Sequence, residues 1–139
     1  LATDLNRQAV AQAASGSYAA ELLERYQTNF DQYAPSKSLS AYYSLKADTG
    51  LMHDYLKQGA RFEVQNLTRD LSHEKFDIIL CRNVLIYFDE ALKARLIRQF
   101  YEQLKPGGFF IIGYYDAFPQ GSKSIFENFD SSGKIYRRL

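Results

Sequence analysis

Three polar groups stand directly behind short apolar runs in this sequence: Asp4, Asn66 and the pair Arg82-Asn83. One carboxylate can accept hydrogen bonds from two vicinal hydroxyls, so Asp4 suits a ligand ribose. Its alternative task is to cap the helix that follows. The Asn66 amide can read a purine edge or close an Asx turn at a strand end. A buried strand rarely ends on an Arg without a partner, so Arg82 and Asn83 face either a ligand or a structural carboxylate. In an open α/β sheet such residues collect at the carboxyl edge of the strands, where ligands bind. The sequence holds no Ser/His/Asp set and no Walker-type loop. His53 and His73 lack a Cys or carboxylate at ligand spacing, so no metal site is expected.

The central element is Phe76–Cys81, an apolar run that reads as a strand buried on both faces, as in a parallel sheet. Asp89 opens a helix on which Leu92, Leu96, Phe100 and Leu104 recur every fourth residue, and Lys105-Pro106-Gly107-Gly108 ends it. Phe109–Ile112 reads as a second buried strand. Phe126–Asp130 and Lys134–Arg138, joined by Ser131-Ser132-Gly133, read as a hairpin. Upstream, Leu1–Asp4 looks like the end of a strand. A helix follows with Val10, Ala11 and Ala14 on one face, stopped at Ser15-Gly16-Ser17. A second helix spans about Ala19–Tyr33, with Leu22, Leu23, Tyr26 and Phe30 at helical spacing. The aromatic stretch Ser38–Lys46 shows no clear period, Leu51–Gln58 reads as a helical turn, and Arg61–Gln65 as a strand. Strands alternating with helices imply an α/β fold with a mainly parallel sheet and a closing antiparallel hairpin.

A length of 139 residues suits one domain, interrupted by an inserted segment at about 18–59. With 46% hydrophobic and 24% charged residues, a folded globular chain is expected. Seventeen basic residues against sixteen acidic ones leave a charge of +1, which gives no support for a nucleic-acid partner or a membrane surface. No apolar run is long enough to cross a bilayer and no secretory leader is evident, so membrane insertion is not expected. Cys81, the single cysteine, reads as a small core residue in a reducing, cytoplasmic setting.

Taken together, Cys-Arg-Asn-Val-Leu-Ile-Tyr-Phe-Asp (Cys81–Asp89) and Leu-Lys-Pro-Gly-Gly (Leu104–Gly108) resemble the C-terminal domain of the CheR-type chemotaxis receptor methyltransferases. Ala2–Asn6, Ser15–Tyr18, Gln65–Leu67 and Ile135–Arg138 match further segments of that family in the same order, so the resemblance covers essentially the whole chain. It implies a Rossmann-like fold that binds S-adenosylmethionine, releases S-adenosylhomocysteine, and methylates glutamate side chains on the cytoplasmic helices of chemoreceptors. By motif position it implies that Asp4 holds the ribose hydroxyls and that Asn66 and Leu67 line the adenine side. Arg82 and Asn83 would sit by the methionine–ribose portion, and Tyr87 near the transferred methyl. Packing is the alternative task for Tyr87. A glutamate carboxylate is already ionised at neutral pH, so the reaction needs alignment and exclusion of water rather than a general base.

Two departures from the family pattern bear on this reading. The loop that usually reads like Gly-His-Ser-Glu-Ser is here Gly113-Tyr114-Tyr115-Asp116-Ala117, keeping the glycine and an acid. The family's first strand and glycine-rich loop would lie upstream of Leu1. In the absence of that strand its neighbours would close on each other, take a strand from a second copy, or keep an N-terminal fragment associated. The inserted segment shows no clear β pattern of the kind that docks the receptor tether in some family members. A non-catalytic regulatory member of the family and a nicotinamide-dependent enzyme are the competing functions. The terminal hairpin argues against the second.

Overall fold

Asn6 and Gly16 frame the first helix of the chain. The Asn6 side chain accepts hydrogen bonds from the amides of Gln8 at 2.8 Å and Ala9 at 3.4 Å, which satisfies two donors that the first turn leaves open. Gly16 closes the other end in the left-handed conformation (φ 68°), its amide bonding back to Gln12 and Ala13. The computed structural model describes residues 1–70, 72–119 and 125–139. These divide into two compact units, Leu1–Asn66 and Leu67–Leu139. Among the described residues no helix is long and apolar enough to cross a membrane.

In the first unit, β1 (Ala2–Asp4) pairs in parallel with β5 (Phe62–Val64), Asp4 lying opposite Val64. The helix α1 (Arg7–Ser15) packs on this pair. Ala9, Val10 and Ala13 form its half-buried side, whereas Ala11 and Ala14, expected there, are exposed. The helix α2 (Ala20–Tyr33) matches its expected span, with Leu23 buried and Tyr26 turned to the exposed side.

The inserted segment corrects the sequence expectation most. It contains a three-stranded antiparallel sheet, β2 (Ser17–Ala19), β4 (Thr49–Met52) and β3 (Tyr43–Lys46), in the order β2-β4-β3. Residues 49–52, half of which fall in the expected helical turn, are the middle strand, and helical structure there shrinks to a 3-10 turn at Asp54–Leu56. Gly50 lies at the centre, buried, with no room for a Cβ against the Leu23 Cδ1 methyl.

The second unit is a four-stranded sheet in the order β6-β7-β9-β8, carrying one helix. β6 (Phe76–Cys81) runs parallel to β7 (Leu104–Ile112), Ile78 opposite Phe109 and Cys81 opposite Ile112. The helix α3 (Glu90–Gln103) joins them, started by the Asp89 carboxylate, which accepts from the Leu92 amide at 2.8 Å. The closing β8 (Phe126–Asp130) and β9 (Ile135–Arg138) form the expected hairpin, β9 pairing antiparallel to β7. At its turn the Ser132 hydroxyl and the Gly133 and Ser132 amides hold the Asp130 carboxyl below its ordinary range.

Leu96, Ile97 and Phe100 of α3 bury against Cys81, Phe110, Ile112 and Phe126. The Phe110 ring lies 5.3 Å from Phe100 and 5.7 Å from Phe126, centroid to centroid. One face of β6 is thus covered. The other is not, for Ile78 is 53% and Leu80 67% exposed, against the expectation of a strand buried on both faces. The reason lies in the pairing: among the described residues β6 bonds to a neighbour along one edge only, and α3 covers one side.

Candidate functional site

In the first unit, Asp4 ends β1 and is exposed. Its Oδ1 accepts the Asn6 amide at 2.7 Å, and among the described residues Oδ2 has no partner. Capping of α1 falls to Asn6, not Asp4. One carboxylate oxygen therefore orders the chain and the other is available to a ligand hydroxyl. Asn66 closes this unit half-buried, following β5, whose successor Gln65 bonds through its amide to the Asp4 carbonyl at 3.0 Å. Leu67 opens the second unit and packs against the edge of its core.

The second unit gathers Arg82, Asn83 and Tyr87 on one loop between β6 and α3. Cys81, just ahead of them, is 5% exposed. Burial, reinforced by the negative charge of Asp116, pushes its thiol up to about 12. Arg82 is exposed, and among the described residues its guanidinium makes no hydrogen bond or ion pair. The structural carboxylate considered as its partner is thus not found among them. Asn83 takes a left-handed backbone (φ 56°), a conformation Asn tolerates better than most residues and one that turns the chain sharply off the strand. A 3-10 turn at Leu85–Tyr87 follows. It buries Leu85 completely and leaves Tyr87 79% exposed.

One buried group holds this loop, and in the sequence it stands out only as the acid kept from the family's loop. Asp116 is 1% exposed, the one buried charged residue among those described. Its Oδ2 accepts the amides of Asn83 at 2.5 Å and Gly113 at 2.8 Å, and its Oδ1 accepts the Ile86 amide at 3.1 Å. Three amide donors account for a carboxylate in the interior. The Asp116 amide in turn donates to the Gly113 carbonyl at 3.1 Å, closing the turn after β7. Lys134, in the turn just before the last strand, donates from Nζ to the carbonyls of Tyr114 and, at 2.7 Å, Asp116. Gly113 has to be glycine, because a Cβ there would meet Asn83 Oδ1, sit 2.5 Å from Asn83 N and 2.8 Å from Asp116 Oδ2. The signal in the sequence is a Gly-x-x-Asp behind a buried strand, which spacing alone does not join to a loop some thirty residues away in the chain.

The loop so held presents an exposed phenol and a cation that is unpaired among the described residues. Such an arrangement can bind and orient an anionic group.

Comparison with known proteins bears on what this loop serves. The sequence profile described as "CheR methyltransferase, SAM binding domain" matches residues 1–135. The chain is 34% identical over 130 residues to chemotaxis protein methyltransferase 2 of Vibrio cholerae, covering 91% of this chain and 42% of that protein. It is 31% identical over 127 residues to the chemotaxis protein methyltransferase of Borreliella burgdorferi, covering 90% and 42% respectively. For the protein of that name in Listeria monocytogenes the identity is 32% over 113 residues, with 81% and 40% covered. The chain spans less than half the length of these curated relatives.

Proposed function

From the chain's membership of the CheR methyltransferase family, through its S-adenosylmethionine-binding domain, we propose that the protein at its natural length methylates glutamate side chains on the cytoplasmic helices of chemoreceptors. The observation that carries the proposal is the loop of Arg82–Tyr87, pinned by two amide bonds to the buried Asp116 carboxylate yet presenting an exposed phenol and a guanidinium that is unpartnered among the described residues. When bound, S-adenosylmethionine supplies a methyl group on a cationic sulfur that departs as a neutral thioether.

Each of the two units carries residue types that suit that cofactor. Asp4 Oδ2 is open to the ribose hydroxyls, while Oδ1 stays on the Asn6 amide. Asn66 and Leu67 line the adenine side, and Arg82 and Asn83 meet the methionine–ribose portion. Arg82 and Tyr87 orient the incoming carboxylate without exchanging protons with it. They must hold it lightly, because its charge disappears in the transition state and strong ground-state pairing would slow transfer.

The Rossmann-like form belongs to the same proposal, supported by the parallel pairs β1–β5 and β6–β7 and the closing hairpin.

Calorimetry with S-adenosylhomocysteine tests the reading. Asp4→Ala is expected to weaken binding by ~1–3 kcal/mol, the cost of a lost charge-assisted hydrogen bond. Wild-type affinity in that variant would remove Asp4 from the site, and no binding by the unaltered protein would remove the proposal.

A further inference from the structure

We propose that Asp116 is a positioning residue for methyl transfer, a clasp whose two oxygens hold the two ends of the site loop in separate tasks. The inference rests on the reaction proposed for Arg82–Tyr87. Oδ2 bonds the amide of Asn83, the residue after Arg82, and Oδ1 bonds the amide of Ile86, the residue before Tyr87. Oδ2 thereby governs the Arg82–Asn83 end, assigned to the cofactor and, through Arg82, in part to the reacting carboxylate, and Oδ1 governs the Tyr87 end, assigned to the reacting carboxylate alone. The third bond, from the Gly113 amide to Oδ2, ties both to the end of β7. Lys134 locks the carbonyl of Asp116 itself from the hairpin side. The carboxylate is buried and touches neither proposed ligand. Its effect passes through the loop.

This division of labour makes the two oxygens separable by substitution. In Asp116→Asn the side-chain carbonyl best replaces Oδ2, where it keeps two amide donors. The amide nitrogen then falls in the place of Oδ1 and opposes the Ile86 N–H, donor against donor. The cofactor end stays held and the Tyr87 end is released. In Asp116→Ala both ends are released.

The test uses the protein at its natural length, with S-adenosylhomocysteine calorimetry and tritiated methyl transfer to a chemoreceptor cytoplasmic fragment. For Asp116→Asn, kcat should fall about tenfold while cofactor Kd stays within about twofold, as the loss of the one hydrogen bond at the Tyr87 end, replaced by donor against donor, requires. For Asp116→Ala, kcat falls and Kd rises as well. An Asn variant with wild-type kcat overturns the proposal, as does one whose loss equals its loss of folded protein. Hydrogen exchange on the unaltered protein supplies a reading that survives misfolded variants. The amides of Asn83, Ile86 and Gly113 should be protected together, and free exchange at any of them overturns the clasp. Failure of the underlying reaction is distinct, since it shows as no methyl transfer by the unaltered protein.

Discussion

Replacing Gly113 by Ala strikes the site loop from the side opposite Asp116, and the structure sets the size of the effect. The added Cβ would lie 2.5 Å from Asn83 N, whereas ordinary contact begins at 3.4 Å, so the loop must retreat by about 0.9 Å. A shift of that size stretches the 2.5 Å Asn83–Asp116 bond to about 3.4 Å, beyond the ordinary range of about 2.7–3.2 Å, and leaves it much weakened. It also leaves a buried carboxylate with fewer donors, a loss of about 1 kcal/mol for the bond and ~1–3 kcal/mol for the unsatisfied group. Against this, Ala restricts the unfolded chain and returns ~0.4–1 kcal/mol. A net local destabilisation of about 1–3.5 kcal/mol results, equivalent to a roughly five- to four-hundredfold faster amide exchange. Native-state hydrogen exchange followed by mass spectrometry, on peptides spanning 81–88 and 110–118, reads this directly. Exchange within about threefold of wild type in both peptides would refute the claim that Gly113 is required by close approach to Asn83 and Asp116.

Tyr87→Phe should lower methyl transfer about tenfold and leave S-adenosylhomocysteine affinity within about twofold, because the proposed task of the hydroxyl lies at the reacting centre; equal turnover on receptor fragments would return Tyr87 to a packing role. Cys81 gives a pH prediction whose sign follows from its raised thiol. Its contribution to stability is full below the unfolded value of 9.0 and is lost as pH climbs toward about 12. The unfolded thiol ionises across that window while the folded one does not, a slope of up to about 1.4 kcal/mol per pH unit. Urea titrations of wild type and Cys81→Ala from pH 8 to 10.5, roughly the lower half of that window, should show the steeper alkaline decline in wild type alone. Asp89→Ala removes the cap on the Leu92 amide and should destabilise α3 by about 1 kcal/mol, seen as faster exchange in its first turn.

Elements governed by contacts within a few residues are legible in the amino-acid sequence alone. Asp89 reaches a donor three residues on, Gly16 supplies the left-handed stop, and α3 shows its apolar side at helical spacing. The same holds for the polar types behind β1, β5 and β6, which mark where a ligand site lies in an α/β sheet. The β2-β4-β3 sheet is hidden because its strands have three or four residues, its middle one carries a glycine, and its hairpin turns at Ala47 with φ 50°, a conformation Ala does not signal.

What each site residue bonds to is a different matter. The spacing leaves Asp4 either capping or binding, and only the fold puts Asn6 on the helix and frees one Asp4 oxygen. It leaves Arg82 facing either a ligand or a structural carboxylate, and only the fold sends the buried Asp116 carboxylate to backbone amides instead. The Asp116 clasp joins residues 33 positions apart. A periodicity or a cap is written in neighbouring residues because the chain itself sets those distances. A buried carboxylate's choice among distant donors is made by packing, through the cost of leaving any of them unpaired.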